Sequence, residues 1–214
     1  MQNILVAGAH GTTGQKIVQL LKTSDGLEPI AMVRAKDQVD FFESQNVKTV
    51  VANLEEDLSK AVIDIDKVIF AAGSGGEKVV EVDQEGAKRL IDASKNAGIK
   101  KFIMLSSIGA GHPDKADQLK DYLKAKHNAD EYLKDSGLDY SIVRPGTLNN
   151  NRGNGKIKLD KELSSRGEIP REDVAQVLVA ALDDTTAQNA VFEMVSGEVP
   201  LDKALKSLPR SSIK

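Results

Sequence analysis

Short apolar runs alternate with longer amphipathic stretches along almost the whole chain. Ile4-Leu5-Val6-Ala7 is too short for a helix and reads as a buried strand. The segment that follows, Gln15-Lys16-Ile17-Val18-Gln19-Leu20-Leu21, repeats its apolar positions with helical spacing. The rhythm continues with a second strand at residues 30–33, a short polar helix at 36–45, a third strand at 47–51 and a fourth at 68–72, closed by Gly73-Ser74-Gly75-Gly76. A long helix is expected from about residue 78 to 97, stopped by Gly98, and a fifth strand at 102–105. Another helix, from about 117 to 136, stops at Gly137, and a sixth strand at 140–143 ends in Arg144-Pro145-Gly146. Residues 174–182 read as one more helix and 191–194 as a last strand.

Strand–helix alternation of this kind predicts a doubly wound parallel sheet with helices on both faces, a three-layer α/β/α sandwich. Residues 1–214 are read as one domain of this Rossmann type. Ligands of such sheets bind beyond the carboxyl ends of the strands, where strand order reverses. That selects Gly8 to Gly14, Arg34, Asn53, Ala72-Gly73, Ser106-Ser107 and Arg144-Pro145-Gly146 for attention. Residues 147–170 are glycine- and asparagine-rich at first and then charged, and they read as a substrate-side loop of the kind that acts as a lid. Within it Arg152, Lys156 and Arg166 could meet an acidic substrate; the alternative is that they are solvated surface residues.

Composition narrows the partners. A formal charge of −3, with bases and acids interleaved, gives no reason to expect nucleic acid or an anionic membrane. There is no cysteine, which excludes disulfides and thiol chemistry, and the three histidines, His10, His112 and His127, lack metal-ligand spacing, so no metal is expected. The first strand begins about three residues from Met1 and no apolar stretch approaches membrane-spanning length, so a cytoplasmic location is expected. The expected partners are a small-molecule substrate and a second copy of the chain in a homodimer.

Candidate chemistry starts at Gly8-Ala9-His10-Gly11-Thr12-Thr13-Gly14, between the first strand and its helix. Glycines let backbone N–H groups approach a pyrophosphate, and the helix N-terminus favours that anion. At the end of the second strand an acid would accept from a free ribose 2′-hydroxyl, whereas this chain has Arg34, then Lys36, with no acid before Asp37. A guanidinium fork suits a phosphate, so NADP(H) is expected over NAD(H). Tyr122 and Lys126 share one helix face, where an ammonium one turn away would lower the phenol's pKa towards that of a useful proton donor. Ser106 or Ser107 could hydrogen-bond a substrate oxygen. A solvated, ion-rich helix is the competing reading of the Tyr122–Lys126 pair.

Gly8-x-x-Gly11-x-x-Gly14, Ala71-Ala72-Gly73, Leu105-Ser106-Ser107, Tyr122-x-x-x-Lys126 and Arg144-Pro145-Gly146, taken in that order, resemble the short-chain dehydrogenases/reductases. The compact length and the glycine spacing are similar to the atypical, NmrA-like branch, and the similarity spans about residues 3 to 195. The resemblance implies cofactor contacts at Gly8, His10, Gly11, Thr12, Thr13 and Gly14 around the pyrophosphate. It also implies Arg34 at the 2′-phosphate, Asn53-Leu54 at the adenine, Ala72-Gly73 at the central ribose, and Ser106, Lys126 and Pro145 around the nicotinamide half. Ser107, Tyr122 and Lys126 match the family's catalytic serine, tyrosine and lysine. Two departures stand out: Asp83 replaces the asparagine of the family's tetrad, unless it is a surface residue on a charged helix face, and the serine-to-tyrosine gap is a couple of residues longer.

Three functions follow as expectations. The first is an NADPH-dependent oxidoreductase that reduces a small carbonyl or quinone-like compound. The second is a non-catalytic NADP(H)-binding regulator or redox sensor. The third, an epimerase or dehydratase of sugar nucleotides, is set back by the short stretch after the sixth strand, where such relatives carry a larger substrate domain.

Overall fold

The apolar runs do become the buried strands of a parallel sheet. In the computed structural model, which describes residues 1–208, the strands are β1 (Gln2–Ala7), β2 (Leu27–Val33), β3 (Lys48–Val51), β4 (Lys67–Phe70), β5 (Lys101–Leu105), β6 (Asp139–Pro145), β7 (Thr147–Asn149), β8 (Lys156–Asp160), β9 (Glu168–Pro170), β10 (Ala190–Ser196) and β11 (Val199–Pro200). The helices are α1 (Thr12–Lys22), α2 (Lys36–Glu43), α3 (Ala87–Asn96), α4 (Lys120–Asp135), α5 (Arg171–Ala180) and α6 (Leu201–Lys206). Nine strands form one sheet in the order β11-β8-β10-β6-β5-β4-β1-β2-β3, and β7 pairs separately with β9. All pairings from β3 across to β10 are parallel; β8 and β11 extend the edge as antiparallel strands.

Every residue of β4 and β5 is buried, as expected of strands covered on both faces. Alternation sends Ile4 and Val6 to one face, where they pack with Ile17 and Val18 of α1 and Val174 and Leu178 of α5. Leu5 and Ala7 turn to the other face and pack with Leu90 and Ile91 of α3 and Ala129 and Leu133 of α4. These two apolar layers make the three-layer sandwich. Because β2 and β3 lie on one side of β1 and β4, β5 and β6 on the other, strand order reverses between β1 and β4.

Three expectations need correction. The helix expected over 78–97 is two segments, a π-helical stretch at Val79–Gly86 and then α3; a Cβ at Gly86 would stand 2.9 Å from that of Leu54. The helix expected from 117 begins at Lys120, because Leu119 is left-handed at φ 57°. The stretch 147–170 is not one loop: β8 lies within it, its alternating Lys156-Ile157-Lys158-Leu159-Asp160 burying Ile157 beside β10, while β7 and β9 close a small ribbon. Among the described residues no helix is long and apolar enough to cross a membrane.

Candidate active site

The sheet's reversal opens a cleft of about 410 Å³ at the carboxyl ends of β1, β2 and β4. Gly8, His10 and Gly11 line it from β1, Arg34 and Gln38 from β2 and α2, Asn53 and Leu54 from the segment after β3, and Ala72 and Gly73 from the end of β4. Gly8 is needed here for two reasons. Its φ is +82°, and a Cβ would stand 2.6 Å from the Ala72 backbone. Thr12, Thr13 and Gly14 form the first turn of α1, whose first N–H groups have no partner within the helix. Neither a side-chain cap nor a first-turn acid competes for them. His10 sits edge-on to Phe41 with ring centroids 5.2 Å apart.

At the β2 end Arg34 is exposed, and its backbone N–H donates to Gln38 Oε1 at 2.9 Å, which fixes the turn into α2. Among the described residues the one carboxylate that lines this cleft is Glu77. An uncapped helix terminus, backbone approach at Gly8 and an exposed guanidinium together suit a phosphorylated dinucleotide.

Next to the cleft, over the ends of β4, β5 and β6, lies a layer of buried charge. Asp83, on the π-helical stretch, is 1% exposed; its Oδ2 accepts from the Ser74 backbone N–H at 2.9 Å and the Ser74 hydroxyl at 2.7 Å. Its Oδ1 stands 3.1 Å from Lys126 Nζ, without a well-aligned hydrogen bond. The reading of Asp83 as a surface residue is thus corrected: the carboxylate lies under Gly73 and is the counter-ion of Lys126. Burial alone would pull the Lys126 ammonium down, but the Tyr122 phenol and the Asp83 carboxylate outweigh it and hold its pKa above the usual lysine value.

Lys126 Nζ lies 5.7 Å from the centre of the Tyr122 ring. The Tyr122 side chain is half-buried, and its hydroxyl has no hydrogen-bond partner among the described residues. Ser107 is also half-buried, with a single long contact from its hydroxyl to the Ile108 carbonyl at 3.4 Å. Ser106, by contrast, is buried and donates to Asp130 Oδ2 at 2.8 Å. Asp130 also accepts from Arg144 Nε at 2.9 Å, and burial pushes its carboxyl pKa up against the pull of Arg144 and Ser106. Pro145 is buried and its carbonyl accepts from the Ile108 N–H at 2.9 Å.

A family of proteins described as NAD(P)H-binding matches residues 8–185. The chain belongs to that NAD(P)H-binding family. The "Uncharacterized sugar epimerase YhfK" of Bacillus subtilis is 40% identical over 213 residues, which cover 96% of this chain and 99% of the relative. A solved structure from Bacillus halodurans, named provisionally as an NAD-dependent epimerase/dehydratase, superposes with a TM-score of 0.92 at 40% identity, covering 97% of this chain and 100% of that one. Sanguinarine reductase of Eschscholzia californica is 28% identical over 251 residues, covering 95% of this chain and 92% of the relative.

Within this NAD(P)H-binding fold the residues singled out from sequence fall into three groups. Gly8, His10, Gly11, Arg34, Asn53, Leu54, Ala72 and Gly73 share the cleft. Thr12, Thr13 and Gly14 supply the helix terminus beside it. Ser107, Tyr122, Lys126 and Pro145 gather around the ends of β5 and β6, while the hydroxyl of Ser106 is turned away into Asp130. Sequence reasoning missed Asp130 and Ser74. Asp130 had a signal: it follows Tyr122 and Lys126 at the same four-residue step, so the three share one face of α4.

Proposed function

We propose that the chain is an NADPH-dependent reductase of the atypical short-chain type, acting on a small carbonyl or quinone-like substrate. The observation that carries this reading is the Tyr122 hydroxyl, unpartnered among the described residues and set beside a buried Lys126–Asp83 ion pair, next to a cleft suited to a dinucleotide. NADPH, when bound, supplies a hydride. Ser107 Oγ orients the substrate oxygen, and Tyr122 gives that oxygen its proton. Lys126, held in place and kept charged by Asp83, favours the tyrosinate that remains. Arg34 would meet the 2′-phosphate and set the preference for NADPH over NADH. The test is NADPH oxidation against a panel of carbonyls and quinones, with Tyr122→Phe as the control. The variant should lose about 10²- to 10⁴-fold in turnover while its NADP⁺ affinity is retained. Equal turnover would remove Tyr122 from the mechanism.

The names of the Bacillus relatives favour a second reading, epimerisation of a sugar nucleotide. Among the described residues, however, the segment after β6 returns to the sheet as β8, β10 and β11 and builds no separate substrate lobe. Interconversion of nucleotide sugars without net consumption of NADPH would establish that reading instead.

A further inference from the structure

Beyond the ends of β5 and β6 lies a second pocket, of about 250 Å³, which shares no lining residue with the cofactor cleft. On the reading that the site reduces a substrate held there, we propose that this pocket binds a carboxylate arm of the substrate, with Arg144 as its anchor. Arg144 is only 7% exposed. Its Nε is tied to Asp130, yet among the described residues its two terminal nitrogens have no hydrogen-bond partner, and the side chain lines the pocket. Gly111 leaves them room: a Cβ there would stand 2.9 Å from Nη1. A guanidinium locked through Nε presents its remaining N–H groups in a fixed plane, the geometry that two carboxylate oxygens accept end-on.

The charge around the pocket points the same way. Lys115, Lys161 and Arg166 add cations at the rim. Of the two acids in the lining, Glu193 is buried and already engaged, accepting from the N–H groups of Gly109 at 3.0 Å and Leu163 at 2.8 Å. The other, Glu162, is 65% exposed and stands 3.7 Å from His112. Asp130 accepts from Arg144 and Ser106 through Oδ2, while its Oδ1 is buried without a partner among the described residues. The volume is below the roughly 300–1,000 Å³ of pockets that take a whole drug-sized ligand, so it fits an acidic side arm while the reducible ring stays outside, over Ser107 and Tyr122.

The experiment compares 1,4-naphthoquinone with the same ring carrying a propanoic acid side chain, by kcat/KM with NADPH, in the wild type, in Arg144→Lys and in the Lys161→Ala/Arg166→Ala double variant. The wild type should favour the acid by about tenfold or more, a preference that shrinks in the exposed rim variant and vanishes in Arg144→Lys. Retained NADP⁺ affinity shows that each variant is folded. The rim variant keeps the test alive should Arg144→Lys fail to fold. Equal kcat/KM for the two quinones in the wild type overturns the proposal while leaving the reductase reading intact, and so does a preference that survives both variants. A phosphomonoester arm favoured over the carboxylate overturns the choice of ligand. Should neither quinone oxidise NADPH, calorimetry with naphthalene-propanoic acid on the NADP⁺-loaded protein separates the two ideas. Binding that Arg144→Lys abolishes upholds the carboxylate pocket and leaves the reductase reading to the wider substrate panel; no binding sinks the pocket.

Discussion

Lysine is buried at both ends of the parallel strands, and Lys126 at one end and Lys101 at the other have their charge treated in opposite ways. At the carboxyl end Lys126 faces the carboxylate of Asp83 at 3.1 Å, and its pKa is held above the usual lysine value despite burial. At the amino end Lys67 and Lys101 stand side by side on β4 and β5. Lys101 donates to the carbonyls of Asp183 and Thr186, each at 2.8 Å, and burial together with repulsion from Lys67 brings its pKa down to about 8. Lys67 donates to the Leu182 carbonyl at 2.7 Å and to Asp184 at 2.6 Å. Carbonyls satisfy an ammonium's N–H groups without neutralising it, whereas a carboxylate does both. The amino end is therefore a fastener that ties the turn after α5 to the sheet. The carboxyl end holds a fixed charge beside Tyr122.

The largest expected effect comes from breaking the pair at the carboxyl end. Lys126→Met should cost about 3–5 kcal/mol in urea unfolding, because it strands the buried Asp83 carboxylate. Adding Asp83→Asn should recover at least half of that loss; a double variant no more stable than the single would show that the ion pair is not the cause. At the amino end Lys101→Met strands only two carbonyls and relieves Lys67, so the loss should be smaller, about 1–3 kcal/mol.

The two lysines should also differ in the sign of their pH dependence. The pKa of Lys101 is lowered on folding from 10.5 to about 8, so between those values the unfolded chain holds more protons and stability rises with pH. The stability gap between wild type and Lys101→Met should widen from pH 7.5 to 10 by about 1–2 kcal/mol, a screened fraction of the full shift. The contribution of Lys126, whose pKa is raised, should be complete below 10.5 and be lost only as pH climbs through its folded value. A gap for Lys126→Met that narrows between pH 7.5 and 10 would break the contrast. The smallest effect belongs to an exposed charge at the carboxyl ends of the strands. Arg34→Ala should lower the ratio of NADPH to NADH affinity by about tenfold in fluorescence titrations; an unchanged ratio removes Arg34 from cofactor choice.

Much of the fold was legible because central parallel strands are covered on both faces and so read as unbroken apolar runs, such as Phe102-Ile103-Met104-Leu105. Strand β8 was not, since this close to the sheet's edge it buries only Ile157 fully and Leu159 in part, and its neighbours carry loop composition. The start of α4 was misplaced because nothing in Ala116 to Leu119 announces the left-handed turn at Leu119.

By itself, then, the chain determined the alternating α/β order, the glycine turn ahead of α1 and the placement of Arg34, Ser107, Tyr122 and Lys126 near strand ends, because these depend on local spacing and on the rule that binds ligands at carboxyl edges. Only the tertiary structure decided which charges are buried. Glu81, Asp83 and Glu85 look alike along the sequence, yet Glu81 is exposed, Glu85 pairs with Lys88 3.0 Å away, and Asp83 turns inward to Lys126. Likewise Ser106 and Ser107 are neighbours just past β5, yet one hydroxyl turns in to Asp130 while the other belongs to a half-buried residue. A buried carboxylate is stable only where another element brings it a cation, and that meeting across 43 residues is decided by packing, not by local sequence.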